Sequence, residues 1–321
     1  MKNIIVTGGF GFIGFNAIMQ WSMQMPETNF IILDALTYAA QFNLIDKLQY
    51  IKNAKNIFYY IGRIESADIL ETIYKKFKID AIVNFAAETH VDNSITGPKI
   101  FFDTNVIGTT NLLEFARKYD IRFHQVSTDE VYGPSKPEDN ITAESMLYPS
   151  SPYSSSKASA DLIALSYWKT FGTKVTISRC TNNIGPWQHY EKLVPTVISK
   201  ALNNEKIPVY GDGLQKRHWT FVNDHNDAVM QILLEGEVGK IYNIGPSEDN
   251  YISNIDLIKS ILDILGKPYS LIEHVKDRAA HDVSYYLRPT SIICEAPTHL
   301  NQILDKIVDW YKYSYKSKII V

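Results

Sequence analysis

The run Thr7-Gly8-Gly9-Phe10-Gly11-Phe12-Ile13-Gly14 directly follows the apolar segment Ile4–Thr7 and precedes a helix-like stretch. Glycines at 8, 11 and 14 permit a tight turn and a close approach of backbone to a pyrophosphate, which the free amides and positive dipole end of the following helix favour. Glycine-rich turns are common, so the pattern carries weight because a strand-like run precedes it and a helix-like run follows it. Asp34 stands twenty residues after Gly14, at the end of a second strand-like run. A carboxylate there accepts hydrogen bonds from an adenosine ribose and repels a 2′-phosphate. The expected cofactor is therefore NAD rather than NADP.

Seven short runs rich in β-branched and aromatic residues predict strands: Ile4–Thr7, Phe30–Asp34, Ile57–Ile61, Ala81–Ala86, Arg122–Ser127, Lys174–Arg179 and Ile241–Ile244. Several are apolar on both faces, as in a parallel sheet covered by helices on both sides. Helical periodicity falls on Ala67–Phe77, Gly108–Lys118 and Ser154–Thr170. The fold class expected is α/β, a Rossmann-type doubly wound parallel sheet with a smaller mixed α/β C-terminal substrate-binding lobe. The chain is expected to divide into an NAD-binding domain over 1–181 and a mainly substrate-binding lobe over 182–321 that covers the sheet's carboxyl edge, with room for the chain to cross back to the first domain. The segments Gly185–Tyr190 and Pro208–Gly213 read as loops from their Pro and Gly content.

Composition removes whole classes of function. A formal charge of -3, with no run of like charges, lacks the footprint of a nucleic-acid or anionic-membrane binder. The chain opens on Met1-Lys2-Asn3-Ile4 without an apolar leader and has no apolar stretch of bilayer length, so the cytoplasm is the expected location. Two cysteines, Cys180 and Cys294, are too few for a disulfide framework and read as reduced apolar residues. The histidines show no ligand-like spacing, and no metal is expected.

The chemistry sits in two further runs. Tyr153 and Lys157 stand four apart in Pro152-Tyr153-Ser154-Ser155-Ser156-Lys157, on one face of a helix, where an ammonium near a phenol lowers its pKa toward that of a general base. Such pairs also arise on ordinary helices. Upstream, at a strand end, Val126-Ser127-Thr128-Asp129-Glu130-Val131-Tyr132-Gly133 adds a hydroxyl and two adjacent carboxylates. Oxidising an alcohol needs a base and a hydride acceptor. Eliminating water from a neighbouring carbon also needs one group to take a C–H proton and another to protonate the leaving hydroxyl.

These runs, together with Asp34-Ala35-Leu36-Thr37-Tyr38, Ala86-Ala87-Glu88-Thr89-His90-Val91-Asp92 and Asn182-Asn183-Ile184-Gly185-Pro186, closely resemble the dTDP-glucose 4,6-dehydratases over nearly the whole chain. The resemblance implies that Tyr153, tuned by Lys157 and assisted by Thr128, takes the C4 hydroxyl proton as hydride passes from C4 to NAD. Glu130 then takes the C5 proton, Asp129 protonates the departing C6 hydroxyl, and hydride returns to C6. It places Gly8, Gly11, Phe12, Ile13, Gly14, Asp34, Thr37, Ile64, Ala86, Ala87, Thr89, Asn105, Ser127, Tyr153, Lys157 and Asn183 at the cofactor. It places Glu88, Asp92, Thr128, Asn182, Glu191, Lys192, Leu193, Pro208, Tyr210, Arg217, Asn243, Arg278 and His281 at the sugar nucleotide, with Arg217 as a diphosphate clamp. A homodimer through the helices Gly108–Lys118 and Ser154–Thr170 is also implied.

The chain departs from that family's pattern at Arg63, Ala280, Val283, Ser284 and Arg288, all on binding surfaces. Thymidine and uridine differ by one methyl group, worth only about 1 to 3 kcal/mol in discrimination. The motifs suit dTDP-glucose and UDP-glucose alike. A 4-epimerase, a decarboxylase or a non-catalytic NAD-binding protein would share the glycine turn and the Tyr153/Lys157 pair.

Overall fold

A computed structural model describes residues 1–40, 54–246, 250–277 and 282–316. Eight strands form one sheet: β1 (Asn3–Thr7), β2 (Asn29–Asp34), β3 (Ile57–Ile61), β4 (Ala81–Asn84), β5 (Arg122–Thr128), β6 (Val175–Cys180), β10 (Ile241–Pro246) and β13 (Glu295–Ala296). Their order is β13-β10-β6-β5-β4-β1-β2-β3, every neighbouring pair parallel. Successive residues of a strand point to opposite faces, and both faces here are buried. Thus Ile4, Val6, Phe30, Ile32 and Val83 enter one core with Phe15, Trp21 and Val229, while Ile5, Ile31, Leu33 and Ile82 enter the other with Leu70, Ile73 and Leu112. This explains why these segments are apolar throughout rather than alternating, and it bears out the doubly wound architecture.

The helix Ala67–Phe77 has the predicted bounds, and the predicted helix over 154–170 extends to Pro152–Phe171. A capping box between Ser151 and Ser154, with Pro152 in the first turn, starts the latter, and Gly172 at φ 71° ends it. The helix predicted from Gly108 starts at Thr109, behind a π-helical stretch Asp103–Gly108. Such stretches often mark functional positions. The strand expected to reach Ala86 stops at Asn84, releasing Phe85 and Ala86 from the sheet.

Beyond Cys180 lie β7 (Asn182–Ile184), β8 (Ile207–Tyr210), β9 (Lys216–Phe221), β11 (Tyr251–Ser253) and β12 (Ile272–Val275). They form a three-stranded sheet β11-β9-β7 and a two-stranded sheet β12-β8. The helices Leu193–Leu202, Asn254–Leu265 and Leu300–Lys316 pack around them on a separate core. Pro208–Tyr210, expected as loop, belongs to a strand because β12 supplies a partner more than sixty residues away, which local composition does not report. Cys180 and Cys294 are both free and buried. No described helix is long and apolar enough to cross a membrane.

Candidate active site

A cleft runs along the carboxyl ends of β1, β2, β4, β5 and β6, across the point where the strand order reverses between β1 and β4. Open α/β sheets bind ligands there because the loops diverge. At one end, Gly8 has φ 67°, and a Cβ on it would stand 2.8 Å from Ala86 N. A Cβ on Gly14 would stand 2.3 Å from Gly8 O, so the turn folds onto the following helix only with glycine at that position. That helix, Phe12–Gln24, has Gly11 as its N-cap and no side-chain cap bond, which leaves its first amides to a ligand.

Asp34 is buried beside the turn. Its Oδ2 accepts from Phe10 N at 2.9 Å and its Oδ1 from Leu36 N at 2.8 Å. Burial raises its pKa and these two bonds oppose the rise. Each carboxylate oxygen keeps a further acceptor site. A cradle that excludes a Cβ, bare helix amides and a fixed carboxylate together fit the pyrophosphate and ribose of NAD.

The other end holds the reactive groups. β5 ends at Thr128, which caps a short 3-10 turn, Asp129–Tyr132, by accepting from Glu130 N at 3.2 Å. Its hydroxyl donates to Asp129 Oδ1 at 3.1 Å. Asp129 is 3% exposed, and its Oδ2 finds no hydrogen-bond partner among the described residues. Burial, and then the Glu130 charge, push its pKa up to about 7. One carboxyl of the adjacent pair is thus poised to hold a proton near neutrality, while its half-buried neighbour Glu130 stands in the same cleft wall.

Tyr153 and Lys157 lie on one face of the helix Pro152–Phe171 and both line the cleft. Lys157 Nζ donates to Val126 O at 2.6 Å, so its charge is directed into β5. Burial lowers the Lys157 pKa and raises that of Tyr153, on which the Glu130 charge acts in the same direction.

The cleft gathers fifteen of the residues expected at the cofactor: Gly8, Gly11, Phe12, Ile13, Gly14, Asp34, Thr37, Ile64, Ala86, Ala87, Thr89, Ser127, Tyr153, Lys157 and Asn183. Asn105 stands behind the wall instead. Its amide accepts from Glu88 N and donates to Glu88 O and Ser156 Oγ, fixing the loop that carries Glu88 and Thr89.

On the substrate side Glu88, Thr128, Asn182, Glu191 and Lys192 line the cleft. Asp92 sits in the first turn of the helix Val91–Thr96, and Leu193 packs against the second core. Pro208 and Tyr210 are exposed on β8, because that strand turns only Ile207 and Val209 inward. Asn243 is fully buried and accepts from Tyr132 OH at 2.7 Å. Arg217 donates to Lys216 O and Asp282 O, lies over the Tyr285 ring at 4.5 Å, and acts on Asp129 through its charge. Arg278 and His281 lie outside the described residues. Of the departures, Arg63 lines the cleft, with its guanidinium 3.8 Å from Glu65.

Cys180, Thr181, Gln188 and His189 are among the lining residues that no motif announces. Cys180, which the sequence presents only as an apolar residue, closes the cleft behind Asp129, and burial pushes its thiol up to about 12. The available signal was its place at a strand's carboxyl end. No group of three His, Cys, Asp or Glu among the described residues is arranged to hold a metal.

Residues 4–245 match the model of the NAD dependent epimerase/dehydratase family. The fold is similar to that of dTDP-glucose 4,6-dehydratase from Bacillus anthracis str. Ames in complex with NAD, with a TM-score of 0.89 and 41% identity over 98% of each chain. A Streptomyces venezuelae dTDP-glucose 4,6-dehydratase, also with NAD bound, gives a TM-score of 0.90 at 36% identity, again over 98% of each chain. In sequence the chain is 37% identical to dTDP-glucose 4,6-dehydratase of Mycobacterium tuberculosis strain H37Rv, over 96% of this chain and 93% of that protein. The chain therefore belongs to the NAD dependent epimerase/dehydratase family and, within it, to the dTDP-glucose 4,6-dehydratases.

Proposed function

We propose that this cleft converts dTDP-glucose into its 4-keto-6-deoxy derivative with release of one water. The observation that carries the reading is Asp129, a buried carboxyl with one unpartnered oxygen and a pKa near 7, directly beside Glu130. An epimerase or decarboxylase has no use for a group held protonated next to a second carboxylate. Gly8, Gly11, Gly14, Asp34, Ala86 and Lys157 would hold NAD. When bound, NAD supplies the acceptor for hydrogen leaving C4, the donor that returns it to C6, and a positive charge near Tyr153.

Tyr153 takes the C4 hydroxyl proton as the C4 carbonyl forms. That carbonyl acidifies the C5 hydrogen, which Glu130 removes. Asp129 protonates the C6 hydroxyl, and the C6–O bond breaks to release water. Glu130 then returns a proton to C5 as C6 is reduced. Across one turnover Tyr153 gains a proton and Asp129 loses one. Thr128, which hydrogen-bonds toward both, stands where that difference can be levelled.

The names of the relatives support thymidine over uridine as the base. Exposed Leu162 on the helix Pro152–Phe171 supports a homodimer through the face that carries it. The test is mass spectrometry of the protein incubated separately with dTDP-glucose and UDP-glucose. Loss of one water from dTDP-glucose is expected; turnover without any loss of water would return the site to an epimerase.

A further inference from the structure

Beneath the cleft floor lies a buried charged unit that the proposed reaction does not use directly. Asp161, one turn beyond Lys157 on the same helix, is 0% exposed and accepts from Arg179 Nε at 2.9 Å. Arg179, itself 2% exposed, reaches the other way and donates from Nη1 to Tyr132 OH at 2.9 Å. Its guanidinium also lies 4.8 Å from the Tyr132 ring centroid. Tyr132 closes the turn Asp129–Tyr132 and donates to Asn243 Oδ1 at 2.7 Å. Asn243 is the register partner of Arg179 across β10 and β6.

A continuous chain of contacts therefore joins the helix bearing Tyr153 and Lys157 to the turn bearing Asp129 and Glu130. Burying such charges is a poor route to stability, since an apolar replacement of similar volume is often as stable or more so. Their geometry has a clearer use. Proton transfers need reacting groups held within a fraction of an ångström, and here the two halves of the machinery stand on different elements.

We infer that Asp161, acting through Arg179 and Tyr132, is the positioning residue that locks the Lys157 helix to the Asp129–Glu130 turn and serves as counterion to Lys157. The inference rests on the dehydratase reading. The groups facing this unit are Lys157 and Tyr153 on its own helix, Ser127 on β5, Arg179 and Cys180 on β6, and Asp129 and Tyr132 on the turn. Among them Asp161 is the carboxylate whose charge favours protonated Lys157.

The test is Asp161→Asn in the full-length protein loaded with NAD, with folding checked by circular dichroism and kcat and KM followed against pH. Asparagine still accepts from Arg179 but no longer balances Lys157. The alkaline limb of kcat should move down by about one pH unit or more. At pH 8 kcat should fall about tenfold or more, with KM nearly unchanged, and Asp161→Glu should restore most of it. A folded Asp161→Asn protein with the unaltered pH profile would overturn the inference. Should that variant not fold, Tyr132→Phe decides, because it removes the link to the turn and leaves the ion pair. A kcat about tenfold lower at unchanged KM supports positioning, and an unchanged kcat refutes it. An unsubstituted protein that releases no water from any sugar nucleotide would instead overturn the dehydratase reading, and this inference with it.

Discussion

Replacing Asp129 with Asn separates two consequences of one buried carboxyl. With a pKa of about 7, Asp129 is half protonated at pH 7, and roughly a tenth of it remains so at pH 8. Asparagine cannot protonate the C6 hydroxyl, so product formation should fall about 10² to 10⁴-fold. Glu130 is untouched, and removal of the C5 proton should continue. In D2O, dTDP-glucose recovered from the substituted protein should therefore carry deuterium at C5 while little product forms.

The same substitution has a stability signature whose sign follows from the direction in which burial moves the carboxyl. The folded value lies above the ordinary 3.8, so the folded state holds the proton more tightly than the unfolded chain. Stability is then highest below 3.8, declines as pH rises from there to about 7, and is flat above. The gap between 3.8 and about 7 amounts to a penalty of about 4 kcal/mol at pH 8 and about 2 kcal/mol at pH 5. Asp129→Asn removes the ionisation, so urea midpoints should rise more at pH 8 than at pH 5. Exchange at C5 that vanishes together with product, or an equal gain at both pH values, would refute the reasoning.

Two further outcomes follow from the geometry. Gly14→Ala places a methyl 2.3 Å from Gly8 O, so the purified variant should lose NAD on dialysis and show a lowered Tm; NAD retention equal to the parent's would contradict the cradle. Asn105→Ala strips two hydrogen bonds from the Glu88 loop and one from Ser156 and should destabilise by about 1 to 3 kcal/mol in urea unfolding, with NAD affinity reduced only through that loop.

The cofactor end was almost wholly legible from residue order. The turn Gly8–Gly14 works through backbone geometry that side-chain absence announces, and the helix Ala67–Phe77 shows a strong 3.6-residue period. Both are local properties. Tyr153, Lys157, Asp129 and Glu130 were legible because each pair lies within a few residues, and local folding alone sets their spacing.

Tertiary structure decided what depends on distant partners. Lys157 donates to Val126 O on a strand distant in sequence, and the pKa of Asp129 is raised chiefly by the walls that exclude water from it. Asn105 and Asn243 are buried behind the cleft, where Ser156 Oγ accepts from the Asn105 amide and Tyr132 OH donates to Asn243 Oδ1, both partners far away in sequence. Pro208–Tyr210 became a strand only when β12 arrived to pair with it. The sequence alone determined which groups are present and how near neighbours are spaced. Burial and long-range hydrogen bonding, which come into being only when the chain closes on itself, decided which of those groups carry charge, which face the cleft and which hold the others in place.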